Sequence, residues 1–206
     1  MAQSRGRRAE TANPDRIIDA MAALVEAQGW RRVSLAGIAD EAGLPILQVY
    51  RLFPSRTAVL CGFLRRVDEA VLAAPLDMEV GEKLRDRLFD LLMRRFDALA
   101  PHRAFTVALR RDLPTDPLTA AALAGAGLCS MRLMLDAAGI ASHGIAGVVA
   151  VKLTAAAYLA AAHTWSRDES PDLAPTMATL DRRLRGIERW LVPLHSTSRN
   201  AVEADA

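Results

Sequence analysis

The chain has 206 residues, half of them hydrophobic and few aromatic, with a formal net charge of +2. That length can bury a substantial core, in one domain or two small ones, and the lack of alternating strand-like runs argues against a β-rich fold. Residues 1–66 hold 10 Arg against 6 acidic residues and residues 67–206 hold 16 basic against 18 acidic, so the basic surplus is N-terminal but too small for charge alone to establish nucleic-acid binding.

Residues 1–13 are polar, carry Arg5, Arg7 and Arg8, and read as a flexible basic arm able to reach DNA phosphates or the minor groove. Asn13-Pro14-Asp15 starts the first helix, with Asn13 as N-cap, and Gly29 ends it. Ile17, Ile18, Met21, Leu24 and Val25 form its inward stripe, and Trp30 and Val33 anchor the connection that follows. Ser34 caps a second helix with Leu35, Ile38, Ala39 and Ala42 on one face, and Gly43 stops it. A third short helix runs from about Pro45 to Leu52, closed by Phe53-Pro54. Helix, glycine turn and helix over 34–53 make a helix-turn-helix, whose second helix typically enters the DNA major groove. A fourth helix from Arg56 to about Ala73 completes a domain over 14–66, with Val59, Leu60, Phe63, Leu64 and Val67 inward; Pro75 breaks it.

Residues 67–194 hold a second helical set, expected at about Val80–Leu99, Pro101–Asp112, Asp116–Ala138, Gly144–Trp165 and Leu173–Leu191. Residues 195–206 read as a disordered tail. The fold class is therefore all-α, with about nine helices. The run from Gly144 to Thr164 is apolar on nearly all faces, but Lys152 at its middle and its many alanines argue against a membrane span. A helix of this kind is buried in a core or shared with a partner chain. Gly125 and Gly127 are expected to permit close helix packing. Met131 and Met134 fall on an apolar stripe with Leu128 and Leu135. Lys152, Tyr158, His163 and Trp165 are the candidate ligand contacts of the apolar helix. Lys152 either snorkels to solvent or supplies a cation for an acidic head group.

Nothing here nominates an enzyme. The histidines His102, His143, His163 and His195 are widely spaced, with no metal-ligand pair, and there is no glycine-rich phosphate loop. Ser130 beside Cys129 has no nearby base. No cofactor and no metal are expected. Cys61 and Cys129 are expected to be buried thiols in a reducing cytoplasm. The polar, Arg-rich N-terminus lacks a signal-peptide pattern, which fits a cytoplasmic protein.

Residues 15–66 resemble the TetR family of bacterial transcriptional regulators. The resemblance is carried by Gly29-Trp30, Ser34-Leu35, Ile38-Ala39, Ala42-Gly43-Leu44, Tyr50, Phe53-Pro54-Ser55-Arg56 and Leu60. It implies an omega-shaped homodimer joined through 144–165 and 173–191, with a cavity for a small hydrophobic ligand in the larger domain. It also implies a repressor of a double-stranded DNA operator, released by that ligand. Carried over residue by residue, Ser34 would bond a phosphate, Gln48 and Arg51 would read or clamp DNA, and Tyr50 would bond a phosphate. Arg56 stands where the family usually has a phosphate-binding lysine.

The recognition helix departs from the family pattern. It opens Pro45-Ile46-Leu47 where small polar residues are usual, and Leu52 replaces an aromatic. Pro45 suits a first helical position at the DNA-facing end. Either Ile46 and Leu47 meet thymine methyls, or DNA binding is weak or lost. Trp165–Leu191 is similar to the C-terminal part of a TetR-fold lipid-binding family of ubiquinone biosynthesis. That similarity implies the alternative of a lipid- or isoprenoid-binding protein without operator recognition.

Overall fold

A computed structural model describes residues 13–73 and 83–191. The N-terminal arm with Arg5, Arg7 and Arg8, the break at Pro75 and the tail over 195–206 lie outside the described residues. Nine α-helices and three short 3-10 turns are found among those described, with no strand. They are α1 (Pro14–Gln28), α2 (Leu35–Ala42), α3 (Ile46–Leu52), α4 (Arg56–Ala73), α5 (Leu84–Leu99), α6 (Arg103–Asp112), α7 (Pro117–Ala137), α8 (Gly144–Trp165) and α9 (Ala174–Leu191).

The helix starts follow local chemistry. Asn13 accepts a hydrogen bond from the Asp15 backbone N–H at 3.0 Å, and Ser34 accepts one from Gly37 at 3.0 Å. Each such cap contributes about 1 kcal/mol. Gly43 ends α2 in the left-handed conformation at φ +62°, and a Cβ there would also press on the Arg16 guanidinium. Asp116 caps α7 by accepting from the Thr119 N–H at 3.1 Å.

Several boundaries differ from expectation. Pro45 is the N-cap of α3, not its first helical residue, because its ψ of 134° is extended. Pro101 sits in a 3-10 turn, Ala100–His102, so α6 starts only at Arg103. The start expected at Val80 lies outside the described residues, and α5 begins at Leu84. Cys129 is exposed on α7 and Cys61 is half-buried, so the two thiols are free but not both enclosed. Around Gly125 and Gly127 no atom lies within 4 Å of an added Cβ, so neither glycine permits a close helix approach within this chain.

The core is continuous through both halves. In the first, Ile17, Met21, Val25, Trp30, Ile38 and Val49 are fully enclosed between α1, α2 and α3. The helix α4 then runs from that domain into the second, packing on α1, α5 and α7. There Leu88, Leu91, Leu92 and Phe96 of α5 meet Met134 and Leu135 of α7, Ala150 and Ala161 of α8, and Leu180 and Leu184 of α9. The pair α8 and α9 packs together along its length. Both α7 and α8 are long and apolar enough to cross a membrane by length and composition, and each is only partly buried.

Candidate DNA interface and ligand cavity

Val49 alone anchors α3 by full burial, and Phe53 seals its end. The remaining face turns outward: Ile46, Leu47, Tyr50 and Leu52 are 53, 56, 57 and 42% exposed, and Pro45 and Arg51 are exposed with them. Gln48 is half-buried and its Oε1 is enclosed without a partner. The exposed surface of α3 is therefore one cation, one phenol and an apolar ridge. Ser34 stands at the start of α2, and its hydroxyl proton stays available after capping, since a hydroxyl both accepts and donates.

Arg56 has a different place from the one the resemblance implied. It turns inward, donating to the carbonyls of Trp30 at 3.1 Å and Val33 at 2.7 Å, and its guanidinium lies over the Trp30 ring. Its other arm reaches Asp116 at 2.9 Å. Asp116 also accepts from the Trp30 indole N–H and the Thr119 hydroxyl, at 3.1 and 2.8 Å. Thr57 in turn meets Thr119 at 3.1 Å. The bonds from Thr119 first, then Trp30 and the charge of Arg56, hold the Asp116 carboxyl below its ordinary pKa. This cluster joins the helix-turn-helix domain to the start of α7.

The larger domain holds two adjoining apolar chambers of about 310 and 410 Å³. Both fall in the size range of small-molecule sites. They share Leu64, Arg95, Leu113, Leu123, Tyr158 and Leu159. The first adds Leu60 and Phe63 of α4, Phe105 and Leu109 of α6, and Trp165 of α8. The second adds Ala124, Gly127 and Met131 of α7. Arg95 forms a buried ion pair with Asp68, and Asp68 also accepts from the Ser130 hydroxyl. Tyr158 stacks on Phe96, and burial pushes its hydroxyl pKa up, with Arg95 opposing.

Of the ligand candidates, Tyr158, His163 and Trp165 line the first chamber, and Met131 and Tyr158 the second. Met134 is fully enclosed in the core and lines neither. Lys152 is exposed in a groove beside Leu128, Cys129 and Arg132 and lines neither chamber. Sequence reasoning missed Arg95. Its signal was available: an arginine inside the apolar stripe Leu88, Leu91, Leu92, Phe96 and Leu99 must be paired if that face is buried.

Two helices join the cavity to the helix-turn-helix domain. The cavity wall residues Leu60, Phe63 and Leu64 share α4 with Arg56 and Thr57. On α6, Phe105 and Leu109 face the cavity while the Phe105 N–H donates to Glu26 of α1 at 3.1 Å.

The chain thus joins a helix-turn-helix with an exposed second helix to an all-helical domain that holds an apolar cavity. Residues 17–60 match the model of the bacterial regulatory proteins of the tetR family. The fold is that of solved relatives. A TetR transcriptional regulator from Nitrosomonas europaea is 21% identical with a TM-score of 0.65, over 84% of this chain and 95% of that one. One from Rhodococcus sp. RHA1 is 22% identical with a TM-score of 0.63, over 87% and 96%. The fatty acid degradation regulator FadR from Bacillus halodurans is 16% identical with a TM-score of 0.54, over 83% and 93%. No curated protein matches the sequence.

Proposed function

We propose that this protein is a cytoplasmic, homodimeric transcriptional repressor, not an enzyme, that leaves its operator when a small hydrophobic ligand fills the cavity. The observation that carries this reading is the double duty of α4 and α6. Each walls the cavity on one side and buttresses the helix-turn-helix domain on the other. Filling the cavity displaces Phe63, Phe105 or Leu109, and the displacement reaches α1 through α4 and Glu26. Release requires only that ligand prefer the non-binding arrangement by about 1–3 kcal/mol. Two subunits would join through α8 and α9, where Ile145, Val148, Val149 and Met177 are exposed. That join would set two α3 helices about one DNA turn apart on a near-palindrome.

A second reading rests on Ile46, Leu47 and Leu52, whose exposure gives α3 an apolar ridge unlike a polar DNA reader. In it the protein holds a lipid or isoprenoid and recognises no operator. Shift assays on the protein's own upstream DNA at low and moderate salt separate the two. Specific, salt-sensitive retardation supports the repressor. Binding no better than to random DNA at every salt concentration, with lipid recovered by mass spectrometry, establishes the second reading instead.

A further inference from the structure

We infer that the cavity ligand is an anionic amphiphile, an apolar chain ending in a carboxylate or phosphate group, with its head held by Arg110 and Arg167. The inference rests on the ligand-responsive reading above and specifies its ligand class. At one end of the first chamber, the two ring nitrogens of His163 are each met by an arginine. Arg110 Nη1 lies 3.1 Å from Nδ1, and Arg167 Nη1 contacts Nε2. Guanidinium groups only donate, and a neutral imidazole has a single acceptor nitrogen. One of the two contacts is therefore donor against donor, with two fixed positive charges beside it.

Among the described residues nothing relieves this arrangement. Among the described residues no carboxylate pairs with Arg110 or Arg167. The nearby Asp168 is committed, accepting from the backbone and hydroxyl groups of Ser170 and Thr176. All three residues of the cluster are exposed, so a head group can reach them. Arg110 and His163 also line the chamber, whose other walls include Phe96, Phe105, Leu109 and Trp165. An anion seated between the guanidiniums supplies the missing acceptors through charge-assisted bonds, which are the strong ones. Its chain then lies along the apolar wall. Deeper in, Arg95 is already neutralised by Asp68, so the charge preference is set at the mouth and not at the floor.

The test measures binding to the full chain by calorimetry, below micelle-forming concentrations, with decanoate, decyl phosphate and methyl decanoate. Decanoate should bind about tenfold tighter than its uncharged ester, the scale of two exposed ion pairs. The exposed substitutions Arg110→Gln and Arg167→Gln together should erase that difference while leaving the ester's affinity unchanged. Decyl phosphate equal to or tighter than decanoate supports the same site and makes phosphate the better head group. An ester as tight as the anions, equal losses for all three probes in the double variant, or no binding of any probe overturns the inference. Operator release is scored separately. Selective anion binding without release would sink the repressor reading and leave the site standing.

Discussion

Arg56 and Asp116 pair at 2.9 Å across the boundary between the helix-turn-helix domain and the ligand domain, beneath the Trp30 indole that bonds to the same carboxylate oxygen. Arg56 thereby fixes the first domain against the start of α7 and also satisfies two backbone carbonyls. Removing it by Arg56→Ala is expected to cost about 1–3 kcal/mol of stability, since buried acceptors lose their donor. With Asp116→Asn in the same chain, the losses should fall short of additive by at least about 0.5 kcal/mol. A urea-unfolding double-mutant cycle measures this, and strictly additive losses would show the clasp to be inert.

The exposed residues of α3 should separate binding from stability. Tyr50 and Arg51 face solvent, so Tyr50→Phe and Arg51→Ala should leave the melting temperature within a degree or so. Arg51→Ala should weaken operator binding by about 1–3 kcal/mol if it reads a guanine, or lower the salt slope by about one if it meets a phosphate. Titrations at several salt concentrations distinguish these cases. Unchanged affinity at every salt concentration would remove Arg51 from the interface.

At the cavity floor, Arg95→Met leaves the Asp68 carboxylate buried and unpaired. The expected cost is about 3–5 kcal/mol. Replacing both, Asp68→Leu with Arg95→Met, should recover most of that loss, because an apolar pair of similar volume needs no desolvation of charge. Thermal and urea unfolding of the three variants check the order.

Two glycine substitutions should behave in opposite ways. A Cβ on Gly147 would overlap the Ser142 backbone, so Gly147→Ala should cost about 1–3 kcal/mol. Gly125 in the exposed middle of α7 has open space around it, and Gly125→Ala should stabilise by up to about 1 kcal/mol. Equal effects at the two positions would contradict the described packing of α8 against the 138–143 connection.

Asp168 makes stability depend on acid pH. Bonds from the Ser170 and Thr176 side chains, with their backbone N–H groups, hold its pKa down to about 2. The folded value lies below the unfolded value of about 3.9, so this contribution is complete above that value and disappears as pH falls through about 2. Asp168→Asn should therefore lower the melting temperature at pH 7. The gap between variant and wild type should narrow between about pH 4 and pH 2. Scanning calorimetry across that window reads the gap directly, and a constant gap would mean that Asp168 acts by packing alone.

Much of this was legible in the sequence because the signals were local. Caps, glycine stops and three- and four-residue apolar spacing act within one or two helical turns, so Asn13, Ser34, Gly43 and the span of α8 were all readable. The same local pattern carried the helix-turn-helix and its outward face. What a side chain meets on a helix distant in the chain has no local signal. Arg56 could be placed at a helix start, but only the folded chain brings Asp116 to it and turns it from a presumed phosphate contact into an interdomain clasp. Arg95 meets Asp68, and Arg110 meets His163, for the same reason. Lys152 and Met134 shared the cavity helices by sequence, yet the rotation of α7 and α8 about their axes sends one outward and buries the other in the core. The amino-acid sequence by itself determined the helices and the helix-turn-helix pattern. The choice of which faces meet was tertiary, because it follows from packing the apolar stripes of all nine helices at once.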